Sequence, residues 1–273
     1  MRISIDFGIT VIDSLAKESN GNLHHHMMMS EKEPDEALLN EIINNLDIKE
    51  DIEHISLTGG KHKNIGNSLN GISITHVNEV NAIGEGAVSL SGIEASKPSI
   101  IVSAGSGTAC ILAKDGEFIH CSGTGIGGGT VLGLSKLLLN TTDPEEIGLL
   151  AKQGNTNGVD LIIEDVVSGP IGLLPKDTTA VNFGRVSKTQ ELPSREDIAA
   201  GIINLVGQTA ARIATSVALT YEAKDIIVVG RAPTFDNLRT SLEQAALITN
   251  FTPHFPENGE YASALGALII GDK

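Results

Sequence analysis

Alternating apolar and polar residues in "RISIDFG" predict a short strand ending at Gly8. The stretch "GNLHHHMMMSE" reads as a second or third strand or its loop. Adjacent histidines there point to opposite faces, so a solvated edge is expected rather than a metal site. Pro34 and Asp35 open a helix whose Leu38, Leu39, Ile42, Ile43 and Leu46 share one apolar face. "HISLTGG" and "ISITHVNEV" read as strands, "NAIGEGAVSLSG" as a helix of small residues and "PSIIVSAGS" as a buried strand. In "TACILAKDGEFIHC" two apolar runs flank Asp115-Gly116, a hairpin turn that sets Ile111 opposite His120 and Cys110 opposite Cys121. Helices follow around "TVLGLSKLLL" and "DPEEIGLLAKQG", then an irregular stretch from Gly158 to Val186 that reads as loops with a flap. The longest helical pattern is "SREDIAAGIINLVGQTAARIATSVALTY", with Ser194 as cap and Asp197 as first-turn acid. "AKDIIVVG" is a strand, "DNLRTSLEQAALI" a helix and "EYASALGALIIG" a terminal helix.

A coarse duplication underlies this order. A strand ending in "DFGIT" and another ending in "SAGSGT" each lead into a hairpin, which places one phosphate-sized turn in each half. The expected architecture is α/β, with two ribonuclease-H-like domains of mixed sheet flanked by helices, at 1–95 and 96–273.

The chain of 273 residues carries 19 basic and 34 acidic side chains, a formal charge of −15. That excess argues against general affinity for nucleic acid or an anionic membrane. Two cysteines are too few for a disulfide framework or a zinc site. In a reducing compartment Cys110 and Cys121 read as small hydrophobes, with a cluster ligand or redox pair as the alternative. The start is no secretory signal and the apolar runs are short, so a cytoplasmic address is expected.

The candidate chemistry lies at glycines. Five fall in the seven residues Gly123–Gly129. Gly123, Gly125 and Gly128 satisfy G-x-G-x-x-G, but a hairpin precedes them and no strand with a ribose-binding acid follows, which discounts a dehydrogenase. Another arrangement fits better. Asp6 at a strand end is placed to hold Mg²⁺ through water, and the amides and hydroxyl of Gly8, Ile9 and Thr10 to meet a terminal phosphate. Ser106, Gly107 and Thr108 offer the same from the second half. Gly127, Gly128, Gly129 and Thr130, opening a helix, offer amides to nucleotide phosphates. Tight turns without a ligand are the plain alternative.

The order of "IDFGIT", "LTGG", "VNEVNAIGEG", "SAGSGT", "GTGIGGGTVLGLSKLL", "TAVNFGRV", "IIVVGR" and "EYASALGALI" resembles the type II pantothenate kinases, within the actin-like and sugar-kinase-like ATPases. The resemblance runs nearly end to end. It implies ATP-dependent phosphorylation of the primary hydroxyl of pantothenate with Mg²⁺, the first step toward coenzyme A, by a homodimer whose long helices pack together. It implies Glu79 as catalytic base, Gly230 and Arg231 beside the nucleotide, and His120 and Ala109 beside the acceptor. Three positions depart from the family pattern: Asp13 stands where a lysine is usual, His120 where an arginine is, and Ala109 where a serine is. Those departures keep rivals open: a kinase for a related small hydroxy compound, or a nucleotide-binding regulator that has lost phosphotransfer. An iron–sulfur-bridged activator ATPase, using Cys110 and Cys121, is a third.

Overall fold

The N-terminal alternation builds a meander in which β1 (Arg2–Phe7), β2 (Val11–Lys17) and β3 (Leu23–Met29) pair antiparallel in turn. The computed structural model describes residues 1–46, 50–94, 97–169, 171 and 174–273. After β3 comes α1 (Glu36–Asn45), capped by Asp35, whose carboxylate accepts from the Leu38 amide at 2.7 Å. It buries Leu38, Leu39 and Ile42 on the sheet, and β4 (His54–Gly59) returns parallel to β1. A short β5 (Ser68–Leu69) turns into β6 (Ile72–His76), giving the order β3-β2-β1-β4-β6-β5. Then α2 (Glu79–Ser91) starts at the cap Asn78 and stops at left-handed Gly92.

The second half repeats the plan. β7 (Ser99–Ala104), β8 (Thr108–Lys114) and β9 (Glu117–Thr124) form another antiparallel meander. Where the first half has only α1, a long insertion follows. It comprises α3 (Gly128–Leu139), α4 (Pro144–Gln153), β10 (Leu161–Ile162), α5 (Ile163–Val166), β11 (Thr179–Val181) and α6 (Arg195–Thr220). The chain then enters β12 (Asp225–Val229), α7 (Asp236–Thr249), β13 (Thr252–His254) and α8 (Ala262–Gly271). The sheet order is β13-β12-β7-β8-β9, with β12 and β13 parallel to β7. The strands of the first sheet all precede residue 95, while α8 returns to cover that sheet, where Ser4 Oγ donates to the Ala264 carbonyl at 2.7 Å. Residues 95 and 96, where the sequence divides the domains, lie outside the described residues.

The two equivalent helices, α2 and α8, cross between the sheets at small residues. A Cβ on Gly86 would lie 1.8 Å from the Ala262 carbonyl oxygen, and one on Gly266 would lie 1.8 Å from that of Ala82. Helix axes meet this closely only where both contact residues lack side-chain bulk.

One expectation changes. Asp115 (φ 53°) and Gly116 (φ 79°) make the hairpin turn, and Ile111 faces His120. The register then slips, and Cys110 faces Ser122 with Cys121 as the extra residue of a bulge. Cys110 is fully buried, its thiol pushed up to about 12 by burial and then by the nearby Cys121, so it is inert packing and out of reach of an intersubunit cluster. Helix α6 is long and apolar enough by length and composition to cross a membrane. Its Ala199, Ile202, Val206, Ala211 and Ala214 instead belong to the core of the second half, together with residues of β7, α4 and α7. Beneath it the irregular stretch is pinned by fully buried Asp160, which accepts from Thr179 Oγ1 (3.0 Å), the Phe183 amide (2.8 Å) and Asn204 Nδ2 (2.9 Å). Within that stretch, residues 170, 172 and 173 lie outside those described.

Candidate active site

The equivalent turns of the two meanders face each other. Gly8–Thr10 after β1 and Gly105–Gly107 after β7 approach until Thr10 Oγ1 and Ser106 Oγ share a hydrogen bond of 2.7 Å. Gly8 is required by closeness, since a Cβ there would lie 2.4 Å from Val11 O. Ile9 stands 82 % exposed at the tip. Among the described residues, the amides of Ile9, Ser106 and Gly107 donate to no protein acceptor. Such bends with free N–H groups are anion-binding concavities.

The glycine run of the second half has a different cause from the one its sequence implies. A Cβ on Gly127 would come 2.6 Å from the Gly107 carbonyl carbon, while the Gly128 and Gly129 amides donate to Gly105 O (2.8 Å) and Ser106 O (2.9 Å). These helix-start amides, expected to face phosphates, are satisfied by the neighbouring turn. The Thr108 hydroxyl donates to Ile126 O at 2.8 Å, and Thr130 Oγ1 accepts from the Gly127 amide at 3.2 Å. Main chain therefore approaches main chain here, and the run shapes the second turn from behind.

Asp6 is the acid at the end of β1, two residues before the first turn. In the ladder it faces Asp13 of β2 and lies beside Thr58 of β4. Its Oδ1 is enclosed and has no hydrogen-bond partner. Burial pushes its carboxyl up to about 7, helped by the charges of Glu79 and Asp13 and opposed by the Ser263 hydroxyl and Arg231. Gly59 (φ 85°) makes room, because a Cβ there would lie 2.4 Å from Asp6 Oδ1. Its carbonyl accepts from His62 Nδ1 at 2.6 Å, and buried His62 stacks on His76 with centroids 5.2 Å apart. These two histidines carried no sequence signal, because their meeting depends on β4 and β6 lying side by side.

Glu79, which the sequence places at a strand end, is the exposed first residue of α2, beyond Val77 and Asn78 from the end of β6. Gly230 (φ 95°) presses on β7, a Cβ there falling 2.5 Å from Ala104 O. The Arg231 guanidinium next to it pairs with Asp13 Oδ1, which also meets His25 Nε2 at 2.7 Å. His25 is thus the one member of the histidine run tied to the site, while His24 pairs outward with Glu18. Exposed His120 lies on β9 with Nε2 3.5 Å from the position of a Cβ on Gly123, and Gly123 faces Ala109 in the ladder. His120 and Ala109 therefore share one neighbourhood. Among the described residues, no group of three His, Cys, Asp or Glu side chains is placed to hold a metal. A single enclosed carboxylate such as Asp6 suits a hydrated hard cation.

Solved structures share this layout. The activator of the 2-hydroxyisocaproyl-CoA dehydratase from Clostridium difficile with bound ADPNP superposes with a TM-score of 0.68 at 15% identity, over 99% of this chain and 93% of that one. A ROK family glucokinase from Streptomyces griseus in complex with glucose and AMPPNP gives 0.61 at 13% identity, over 99% of both chains. Two mixed sheets with facing turns are the actin-like ATPase fold of the ROK sugar kinases. Residues 88–269 match the Fumble family model. The type II pantothenate kinase of Bacillus cereus (strain G9842) is 31% identical over 226 residues, 81% of this chain and 83% of that protein. That of Oceanobacillus iheyensis is 29% identical over 272 residues, 98% of each. The chain belongs to the Fumble family of type II pantothenate kinases, and is an ATP-dependent small-molecule kinase.

Proposed function

We propose that the protein transfers the terminal phosphoryl group of ATP to the primary hydroxyl of pantothenate, with Glu79 as general base. The observation that carries this is the Asp6 carboxylate, whose enclosed Oδ1 has no partner, two residues before the first of two facing turns and within the electrostatic reach of Glu79. Mg²⁺ fits Asp6 through water, and when bound it neutralises charge on the phosphates. The free amides of Ile9, Ser106 and Gly107 and the hydroxyls of Thr10 and Ser106 orient the triphosphate tail, the hydroxyl pair opening to admit it. A hollow of about 390 Å³ lined by Gly148, Leu149, Lys152, Thr234 and Phe235 is the place for the nucleoside. It adjoins the cradle through Ala232, whose Cβ is 3.9 Å from the position of a Cβ on Gly128. Glu79 accepts the proton of the attacking hydroxyl, while His120 and Ala109 border the acceptor.

The same reading makes the protein cytoplasmic and a homodimer. Because one face of α6 packs into the core of its own chain, its length alone does not argue for the dimer. Exposed Leu137 (80 %) and Leu219 (63 %) supply apolar surface for a partner.

Labelled ATP offered with pantothenate and a panel of small hydroxy compounds tests the proposal. Transfer to pantothenate, lowered about 10²- to 10⁴-fold in Glu79→Gln with nucleotide binding intact, is the expected result. Label released only to water, whatever acceptor is present, overturns it in favour of a nucleotide switch.

A further inference from the structure

Arg231 stands where the bends of the site converge. The residue before it, Gly230, presses on the end of β7, from which the second turn springs, and the residue after it, Ala232, lies beside Gly128 at the start of α3. The main chain of Arg231 is therefore fixed against the second half. Its side chain crosses to the first half and ends on Asp13 Oδ1.

Asp13 is buried, His25 Nε2 braces the same oxygen at 2.7 Å, and the His25 ring lies against Tyr261 with centroids 4.5 Å apart. A largely buried ion pair is a poor stabiliser, because stripping water from both charges offsets most of their attraction. Packing alone gives no reason for it. The guanidinium also has capacity to spare: it offers five N–H donors, and its Nε is enclosed without a partner. Asp13 faces Asp6 across the ladder, so the cation it holds lies near the acid that precedes the first turn, and its charge opposes the upward shift of that acid.

Resting on the kinase reading above, we propose that Arg231 is the cation that receives the terminal phosphate of the nucleotide, and that Asp13, braced by His25, is the positioning residue that holds the guanidinium across the cleft. A planar guanidinium gives one edge to a carboxylate and keeps another for phosphate oxygens, which a lysine ammonium does not. During transfer, charge spreads over the equatorial oxygens of the phosphoryl group, and a cation already in place stabilises it without reorganisation. Arg231 makes or breaks no bond. Asp13 acts through it.

The test is calorimetric titration of ADP and of the β,γ-imido analogue of ATP, each with Mg²⁺, into the whole protein and into Arg231→Gln, Arg231→Lys and Asp13→Asn. Melting temperatures and kcat against KM are followed alongside. Arg231→Gln is expected to lose about tenfold or more in affinity for the triphosphate and under about threefold for ADP. Its kcat falls about 10²- to 10³-fold while acceptor KM holds. Asp13→Asn lowers the triphosphate-to-diphosphate preference in the same direction by a smaller factor. Equal weakening of both nucleotides, or an unchanged preference with a lowered melting temperature, overturns the proposal and leaves a structural ion pair. Should Arg231→Gln fail to fold, Arg231→Lys decides: an ammonium engaged by Asp13 has no second edge, so the preference drops about threefold, and an unchanged preference overturns. The nucleotide preference is read without any acceptor, so failure of pantothenate phosphorylation would sink the kinase reading and leave this measurement standing.

Discussion

In β1 the residue before the last is Asp6, and it faces Asp13 across the ladder; in β7 the residue before the last is Ser103, and it faces Ala109. The same strand plan thus carries a pair of acids in one half and a pair of small neutral residues in the other. Around the acids gather Glu79, Arg231 and His25, whereas the second turn is shaped by glycine against glycine, Gly107 on Gly127. At the helices the comparison reverses. Ala82 and Gly86 of α2 meet Gly266 and Ala262 of α8 in reciprocal contacts of equal length. The halves have stayed alike where their helices pack on each other and have diverged around the facing turns. The acids lie in the first half, while the second contributes main-chain geometry and the cation Arg231 that reaches across to them.

Breaking the acid half has the largest expected effect. Asp6→Asn keeps the shape and removes the charge, and phosphotransfer should fall by about 10³-fold. Stability moves the other way with pH. The carboxyl is raised from its ordinary value of 3.8 to about 7, so between those values the folded state holds a proton that the unfolded state has released. Its contribution is therefore fully present below pH 3.8 and is lost as pH rises through 7. In ligand-free protein this group alone lowers unfolding free energy by about 2–4 kcal/mol from pH 4 to pH 8. Urea unfolding at both pH values should show that decline in the wild type and lack it in Asp6→Asn. A decline of equal size in both would place the acid in solvent.

The symmetrical helix crossing breaks next. Gly266→Ala drives a methyl to 1.8 Å from Ala82 O, and Gly86→Ala does the same to Ala262 O. Each should cost about 2–4 kcal/mol, since backbone has to move, and the two losses should match if the crossing is as symmetrical as its contacts. Gly133, exposed in α3 with nothing within 4 Å of a Cβ, is the control. Gly133→Ala should raise stability by about 0.5–1 kcal/mol through helix propensity alone. Differential scanning calorimetry on the three variants reads both signs.

Much of this layout was legible in the chain. Period-two runs gave the strands, Asp35 and Ser194 marked helix starts by side-chain caps, and "DFGIT" and "SAGSGT" announced the paired turns. Their local pattern sufficed because turns and caps are decided within a few residues. What was not legible depends on distance in sequence. Asp13 looked like a missing cation until Arg231, 218 residues away, was found to reach it. His62 and His76 lacked any spacing signal, and the bulge at Cys121 shifts a register that the Asp115-Gly116 turn alone would keep regular. The glycine run was legible as a close approach but not as an approach of what. Bare amides are the same invitation to a phosphate and to a carbonyl, and here two are taken by Gly105 and Ser106.

The smallest effect sharpens the comparison most, because it concerns the one place where the two turns touch. Thr10 Oγ1 and Ser106 Oγ are 2.7 Å apart across the cleft and keep partial access to water. Removing either hydroxyl leaves the other free to bond solvent, so Thr10→Ala and Ser106→Ala should each cost only about 0.5–1.5 kcal/mol in the ligand-free protein. The double-mutant cycle isolates their coupling, expected at about 0.5–1 kcal/mol. With saturating MgADP and the β,γ-imido analogue compared, the coupling should persist in the diphosphate and vanish in the triphosphate complex, where each hydroxyl turns to the terminal phosphate. A coupling indifferent to the third phosphate would mean that the turns meet for packing, as α2 and α8 do, and that the ligand lies elsewhere.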